Sequence, residues 1–376
     1  MKVRTITIGI PGVPRLDDIK SGAILAKDLK RRLLGSDFEV QTCRLALGHW
    51  DSGLEALGHT ARNELLSAVS AVVAEEGVDF CSTGLARGVE VAEDIVELLA
   101  TYSNLTACVD ASDLGSRGPS MRCSAAIIRA LSQHTVRGEG NFRFAAGFGI
   151  SPNTPYFPAA FHSGPTFGVS LGLENSDALV KAFTAASLSD AVERLTSLLA
   201  GVYARLEALA RQWSRENGVH YVGIDTSIAP SLNGGESVVD AFDALGLFFG
   251  RSGTLALFSA ITGALQQLPV ERVGFCGIML PVLEDPGLAA IAAEGRLTLE
   301  KLLVYSSVCG IGLDMLPLPG TTSEEELTNV LSDVAAMSSR LKKPLVARLL
   351  PVPGKSAGQM ATFGSPYMCD APVFDL

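Results

Sequence analysis

Several short segments of this 376-residue chain set charged or nucleophilic side chains among glycines and prolines: 154–162, 173–175, 223–230, 277–285, 309–320 and 347–355. Glycine and proline fix the backbone, so the groups between them are aimed in advance, which a preorganised site requires. Asp225, Glu174 and Asp314 supply carboxyl groups. Carboxyls held close in apolar surroundings acquire separated pKa values, so one serves as acid and another as base at a single pH. Cys309 adds a nucleophile or redox partner, and His162 a further proton carrier. Arg348 and Lys355 suit a carboxylate or phosphate. Tyr156 and Ser227 stand in the same kind of turn and are assigned as substrate contacts.

Each residue also has an ordinary structural role open to it. Asp225 could cap a turn, Glu174 could be exposed before a helix, and His162 could be a loop histidine. Asp314 could be a buried acid held by Arg348, since a buried carboxylate needs such a partner. Cys309 could be a small buried hydrophobe. What favours chemistry is the joint placement of so many charges in stiff loops of an otherwise apolar chain.

Other motifs fail. No H-E-x-x-H, C-x-x-C or Walker A pattern is present, and no two of the five histidines sit at helical ligand spacing. Gly168-Val169-Ser170-Leu171-Gly172 matches a nucleophile elbow, but the apolar run continues past Ser170 where an elbow would start a helix. The glycine pairs at 138–140, 147–149 and 310–312 lack a third glycine, which disfavours an NAD site.

The elements that must position these residues follow from periodicity. Short β-branched runs alternate with Ala/Leu-rich runs of helical spacing. Ten strands are predicted, at 3–8, 38–45, 79–82, 105–109, 142–149, 166–173, 221–225, 273–276, 313–315 and 344–349. Helices are predicted over 16–34, 54–76, 89–101, 120–134, 178–186, 188–216, 238–249, 255–268, 297–308 and 323–342. Gly77 should stop the second helix, and Ser237 should cap the seventh. This order is that of a mainly parallel sheet, whose strand C-termini would carry the site. No linker-like stretch divides the chain, so residues 1–376 read as one α/β barrel-like domain with helices outside. Its halves are roughly 1–150 and 151–376.

Composition agrees. With 47% hydrophobic and 19% charged residues the chain is too apolar for disorder. The longest apolar run, 245–268, is broken by Arg251, so no membrane span is expected. A net charge of −10 without a basic block argues against nucleic acid. Seven cysteines and no leader-like N-terminus point to the cytoplasm.

Many of these segments fall in one order that resembles the domain of unknown function 711 family, also called uncharacterised protein family 0210. The matching stretches include Val3 to Ile10, 140–144, 154–160, Gly223-Ile224-Asp225-Thr226-Ser227-Ile228-Ala229-Pro230, 279–285, 305–314, 317–320 and 351–355. Arg143, within 140–144, is assigned to substrate binding. The resemblance implies a fold like that of pyruvate formate-lyase, a ten-stranded α/β barrel built from two halves. The glycyl-radical chemistry does not carry over. An adjacent-cysteine pair is absent, and 363–368 lacks the Arg-Val-x-Gly-Tyr pattern. The chain departs from the family pattern at Thr321, where an acid is expected, and at Cys369-Asp370, where an asparagine is expected.

The expectation is a cytoplasmic enzyme that acts on a small carboxylate- or phosphate-bearing molecule by acid/base chemistry, with a contribution from cysteine. The partner would be that small molecule, with no nucleic acid and no membrane; a homo-oligomer is allowed. Two rivals stand beside it. One is a metal-dependent enzyme that holds a divalent ion on Asp225, Glu174, Asp314 and His162. The other is a non-catalytic regulatory protein that binds a small molecule.

Overall fold

Alternating apolar and helical runs fold into one large sheet flanked by helices. The computed structural model describes residues 2–88, 90–112, 118–184 and 187–376. Nine strands share the sheet: β1 (Lys2–Gly9), β2 (Glu39–Ala46), β3 (Phe80–Ala86), β4 (Leu105–Asp110), β5 (Phe144–Phe148), β6 (Gly168–Glu174), β7 (His220–Ala229), β8 (Gly312–Pro319) and β9 (Leu345–Val352). Their order is β7-β6-β1-β2-β3-β4-β5-β9-β8. The α-helices among the described residues are α1 (Leu16–Leu34), α2 (His59–Glu75), α3 (Ala92–Thr101), α4 (Pro119–His134), α5 (Ser176–Phe183), α6 (Leu188–Asn217), α7 (Val238–Ala244), α8 (Thr254–Leu265), α9 (Pro286–Ala293), α10 (Leu299–Ser306) and α11 (Glu324–Leu341). Among these only α9 is unanticipated. The expected helix bounds at Val89 and Ala186 lie outside the described residues. No helix among the described residues is long and apolar enough to cross a membrane.

Local signals act as expected. Gly77 takes a φ of +67° just past α2, a conformation that glycine adopts without penalty. Ser237 caps α7: Val239 N–H donates to its Oγ at 3.0 Å while Asp240 accepts from the Ser237 N–H at 2.8 Å. Strands β3, β6 and β9 are buried along their whole lengths, so both faces of the sheet are covered. Strand β6 runs straight through Ser170, which pairs with Thr7 of β1, so no elbow forms there.

Two expectations need correcting. First, the strand C-termini do not all face one side. Strands β1 to β5 are mutually parallel, but β6 is antiparallel to β1 and β9 is antiparallel to β5. Strands β7 and β8 follow β6 and β9. The N-terminal ends of β1 and β2 therefore meet the C-terminal ends of β6 and β7. Second, 273–276 is not a regular strand. Its chain follows β7 only through isolated bridges, Ile224 with Arg272 and Ile228 with Ile278. Beyond it, Gly310 N–H donates to the Ile278 carbonyl at 2.6 Å.

The irregularity has a local cause. The Asp225 carboxylate takes the N–H groups of Phe275 at 3.1 Å and Cys276 at 3.0 Å, which a ladder would otherwise use. Gly274 and Cys276 adopt positive φ to allow this. A Cβ on Gly274 would lie 2.2 Å from Asp225 Oδ2, and its φ is +84°. Gly274→Ala is expected to lower stability by about 2–4 kcal/mol, from left-handed strain plus an overpacked contact. Urea unfolding measures this, and an unchanged midpoint would refute the account.

Candidate functional site

A cavity of about 280 Å³ opens where the N-terminal ends of β1 and β2 meet the C-terminal ends of β6 and β7. Charged side chains line it from seven places: Lys2 and Arg4 on β1, Arg44 on β2, Glu174 on β6, Asp225 on β7, Glu284 before α9, Asp314 on β8 and Arg348 on β9. Register breaks aim three of these. Val3 faces Leu173 and Thr5 faces Gly172, so Arg4 is the extra residue of a bulge. Between the pairs Leu313–Ala347 and Leu316–Leu349, Asp314 and Met315 stand opposite Arg348 alone, with Met315 at a φ of +50°. A third break lies between Gly172–Asp225 and Glu174–Ala229. Bulges re-aim side chains in this way beside functional sites.

The 151–164 loop delivers the aromatic wall. Ser82 Oγ donates to the Ala160 carbonyl at 2.5 Å, and Thr106 Oγ1 to the Pro158 carbonyl at 3.0 Å. These bonds pin the loop to β3 and β4, so Tyr156 and Phe157 face the cavity. Phe80, Phe142 and Tyr367 complete that wall. Phe157 meets Phe80 and Phe142, each with ring centres 4.9 Å apart, and Phe142 stacks on Tyr367 at 5.6 Å.

Most of the charges form one chain of ion pairs. Glu174 accepts from Lys2 Nζ at 3.0 Å and Arg4 Nη1 at 3.3 Å. Arg4 Nη2 reaches Glu284 at 2.6 Å. Glu284 also accepts from Arg348 Nη2 at 2.9 Å, and Arg348 Nε donates to Asp314 Oδ1. Tyr156 Oη donates to the same Asp314 oxygen at 2.8 Å. Asp314 is 1% exposed and Arg348 3%. Burial raises the Asp314 carboxyl above the usual range, opposed by Arg348. Burial also pushes the Tyr156 hydroxyl well up. Three buried atoms of the cavity's charged side chains have no hydrogen-bond partner among the described residues: Asp314 Oδ2, Arg348 Nη1 and Arg44 Nε.

Of the residues singled out in the sequence, Glu174, Asp314, Arg348, Tyr156, Asp225 and Ser227 come together at this cavity. Asp225 is spent on structure. Its Oδ1 accepts from Ser227 N–H at 2.9 Å, Ser227 Oγ at 2.6 Å and Cys276 N–H, while Oδ2 accepts from Phe275 N–H. Burial raises its pKa against those hydrogen bonds.

The other four lie elsewhere. His162 packs beside Gly9 at the far end of β1, with Nδ1 2.8 Å from Asn153 Oδ1 and Nε2 2.8 Å from the Thr166 carbonyl. Burial lowers its pKa. Cys309 is fully enclosed, and burial raises its thiol pKa. Arg143 donates to the carbonyls of Leu99 at 2.6 Å, Tyr102 at 2.5 Å and Leu105 at 3.2 Å, tying β5 to the end of α3. Burial lowers it to about 10. Lys355 sits half-buried in the turn after β9, where its carbonyl accepts from Gly320 N–H at 2.9 Å. Thr321 and Asp370 are exposed and lie outside the cavity lining.

Sequence reasoning missed Arg4, Arg44 and Glu284. Glu284 stands in a segment that drew attention, yet was not singled out. Arg4 and Arg44 sit in alternating strands, where a charge reads as a solvent-facing residue. Among the described residues no three His, Cys, Asp or Glu side chains converge as a metal site would need. The cavity carboxylates are matched to arginine and lysine instead.

Fold and cavity together define a mixed α/β protein with an ion-paired pocket enclosed at opposed strand ends. The chain belongs to the family described as Uncharacterised ACR (DUF711), whose model matches residues 1–364. It is 27% identical to a UPF0210 protein of Pyrobaculum arsenaticum over 404 aligned positions, covering 98% of this chain and 88% of that one. A UPF0210 protein of Pyrobaculum aerophilum is 30% identical over 352 positions, covering 87% and 77%. One from Desulforudis audaxviator is 28% identical over 402 positions, covering 97% and 88%. These names carry no reaction.

Proposed function

We propose that the protein is an enzyme that acts on a small carboxylate- or phosphate-bearing molecule in this cavity by acid/base chemistry. One observation carries the reading: Asp314 is anchored through Oδ1 by Arg348 and Tyr156, while its buried Oδ2 is free of any partner. A carboxyl held at one oxygen and unpartnered at the other is oriented to take or give a proton. Burial raises its pKa above the ordinary carboxylate range, which makes it a stronger base than an exposed carboxylate. Tyr156, hydrogen-bonded to the same oxygen, can relay the proton. Arg348 holds the charge that develops. Cys309 has no part in this, because its thiol is enclosed away from the cavity.

The sheet would then close into a ten-stranded barrel, with 272–279 as the irregular tenth member between β7 and the start of β8. The bridges along β7 and the Gly310–Ile278 hydrogen bond support that closure and the kinship with the pyruvate formate-lyase fold. A single domain in the cytoplasm completes the proposal, in keeping with the free cysteines.

The test is mass spectrometry of small molecules released from the purified protein, followed by incubation of each with fresh enzyme. A carboxylate or phosphate that is consumed supports the proposal. A bound molecule that is never converted, under any pH between the carboxylate and phenol ranges, would sink it in favour of a binding protein.

A further inference from the structure

We propose that Arg44 and the free Nη1 of Arg348 form an anion subsite for a carboxylate or phosphate attached to a flat, apolar body. The inference deepens the proposed function and rests on it. It follows from accounting for every cation in the cavity. Lys2 and Arg4 are held by Glu174, and Arg4 also by Glu284. Arg348 is held by Glu284 and Asp314, yet its Nη1 is buried without an acceptor. The Arg44 side chain, part-buried, makes no hydrogen bond and no close ion pair among the described residues, and its Nε is also buried without an acceptor. A buried guanidinium nitrogen without an acceptor is costly, so the retention of two of them at one cavity calls for an anion that comes from outside. Burial and the nearby Arg4 lower the Arg44 pKa to about 9, against the longer-range pull of the Glu284 and Asp79 carboxylates, which leaves it charged at neutral pH.

Phe157 places both charges at one wall. The Arg44 guanidinium carbon lies 5.0 Å from its ring centre and that of Arg348 lies 5.9 Å away. From Phe157 the wall continues through the rings of Phe80, Phe142 and Tyr367. A ligand with its anion at the arginines therefore lays its remainder on aromatic faces, where a flat apolar body fits best. The cavity is at the small end of ligand sites, which suits one ring and one anionic group.

Calorimetric titration of the full chain with phenyl phosphate, benzoate, inorganic phosphate and acetate tests this. At least one aryl anion is expected to bind about tenfold or more tightly than its bare counterpart. The phosphate and carboxylate arms decide which anion is preferred. Arg44→Met is expected to weaken that binding about tenfold or more. Its thermal midpoint without ligand should equal or exceed that of the wild type, because an unmatched charge has been removed. A lower midpoint would make Arg44 a structural residue and overturn the subsite. So would unchanged binding in Arg44→Met, or a wild type that binds none of the four probes. Equal binding of bare and aryl anions would overturn the flat-body assignment. Asp314→Asn separates the two readings. Lost turnover there, with unchanged binding in Arg44→Met, removes the subsite and leaves the proposed function. Full turnover there, with binding lost in Arg44→Met, does the reverse.

Discussion

Asp314→Asn is expected to lower turnover of the natural ligand about 10²–10⁴-fold, the range that a positioned general acid or base contributes. The substitution is nearly isosteric. The amide oxygen can take the place of Oδ1 and accept from both Arg348 Nε and Tyr156 Oη. Arg348 keeps Glu284 at 2.9 Å, so it is not stranded. The amide nitrogen then replaces Oδ2, the buried oxygen that has no partner among the described residues. That position changes from an acceptor that takes a proton to a donor that cannot. The loss should therefore appear in kcat, with far-ultraviolet circular dichroism and the thermal midpoint little changed. The wild-type rate should also climb with rising pH through the raised Asp314 pKa, because a general base works only when deprotonated. That limb should vanish in Asp314→Asn. Wild-type turnover in the variant would remove Asp314 from the chemistry.

Much of this site could be read from the chain, and what could not has physical reasons. Nine strands match their predicted runs because fully buried strands are marked by β-branched and apolar residues between Gly/Pro breaks. The tenth failed at 273–276, where the Asp225 side chain intercepts the backbone N–H groups that pairing would need. No local pattern announces that competition. Glu174, Asp314, Arg348 and Tyr156 were legible because each sits where the backbone is stiff and the surroundings apolar. His162 and Lys355 look the same in sequence yet miss the cavity, because which end a turn occupies depends on strand direction. Two antiparallel junctions, β1 with β6 and β5 with β9, reverse four of the nine strands. Arg4 escaped notice for a related reason. An alternating strand announces that it has a polar face without saying whether that face meets solvent or an enclosed pocket. Its bulge, which turns Arg4 toward Glu174 and Glu284, leaves no trace in composition.

Arg348→Met is expected to cost about 3–5 kcal/mol, the usual loss when one partner of a buried ion pair is removed. Glu284 would keep Arg4, but Asp314 would keep only the Tyr156 hydroxyl. The penalty is therefore the burial of one unmatched carboxylate, and that makes it pH-dependent with a definite sign. In the variant the folded-state pKa of Asp314 climbs further above its unfolded value of about 3.9. A carboxyl whose pKa is raised by folding favours the folded state most when protonated. That advantage is full below the unfolded pKa and is lost as pH rises through the folded one. The deficit of Arg348→Met against wild type should thus be largest near neutrality and shrink on acidification toward pH 4. Urea unfolding at several pH values measures it. Adding Asp314→Asn to Arg348→Met removes the stranded charge, so the double variant should be more stable than Arg348→Met alone at neutral pH. A deficit that ignores pH, or a double variant no better than the single, would mean that Arg348 acts through packing alone. The pairing of Arg348 with Asp314 would then explain neither the stability of the cavity nor the orientation of its proposed base.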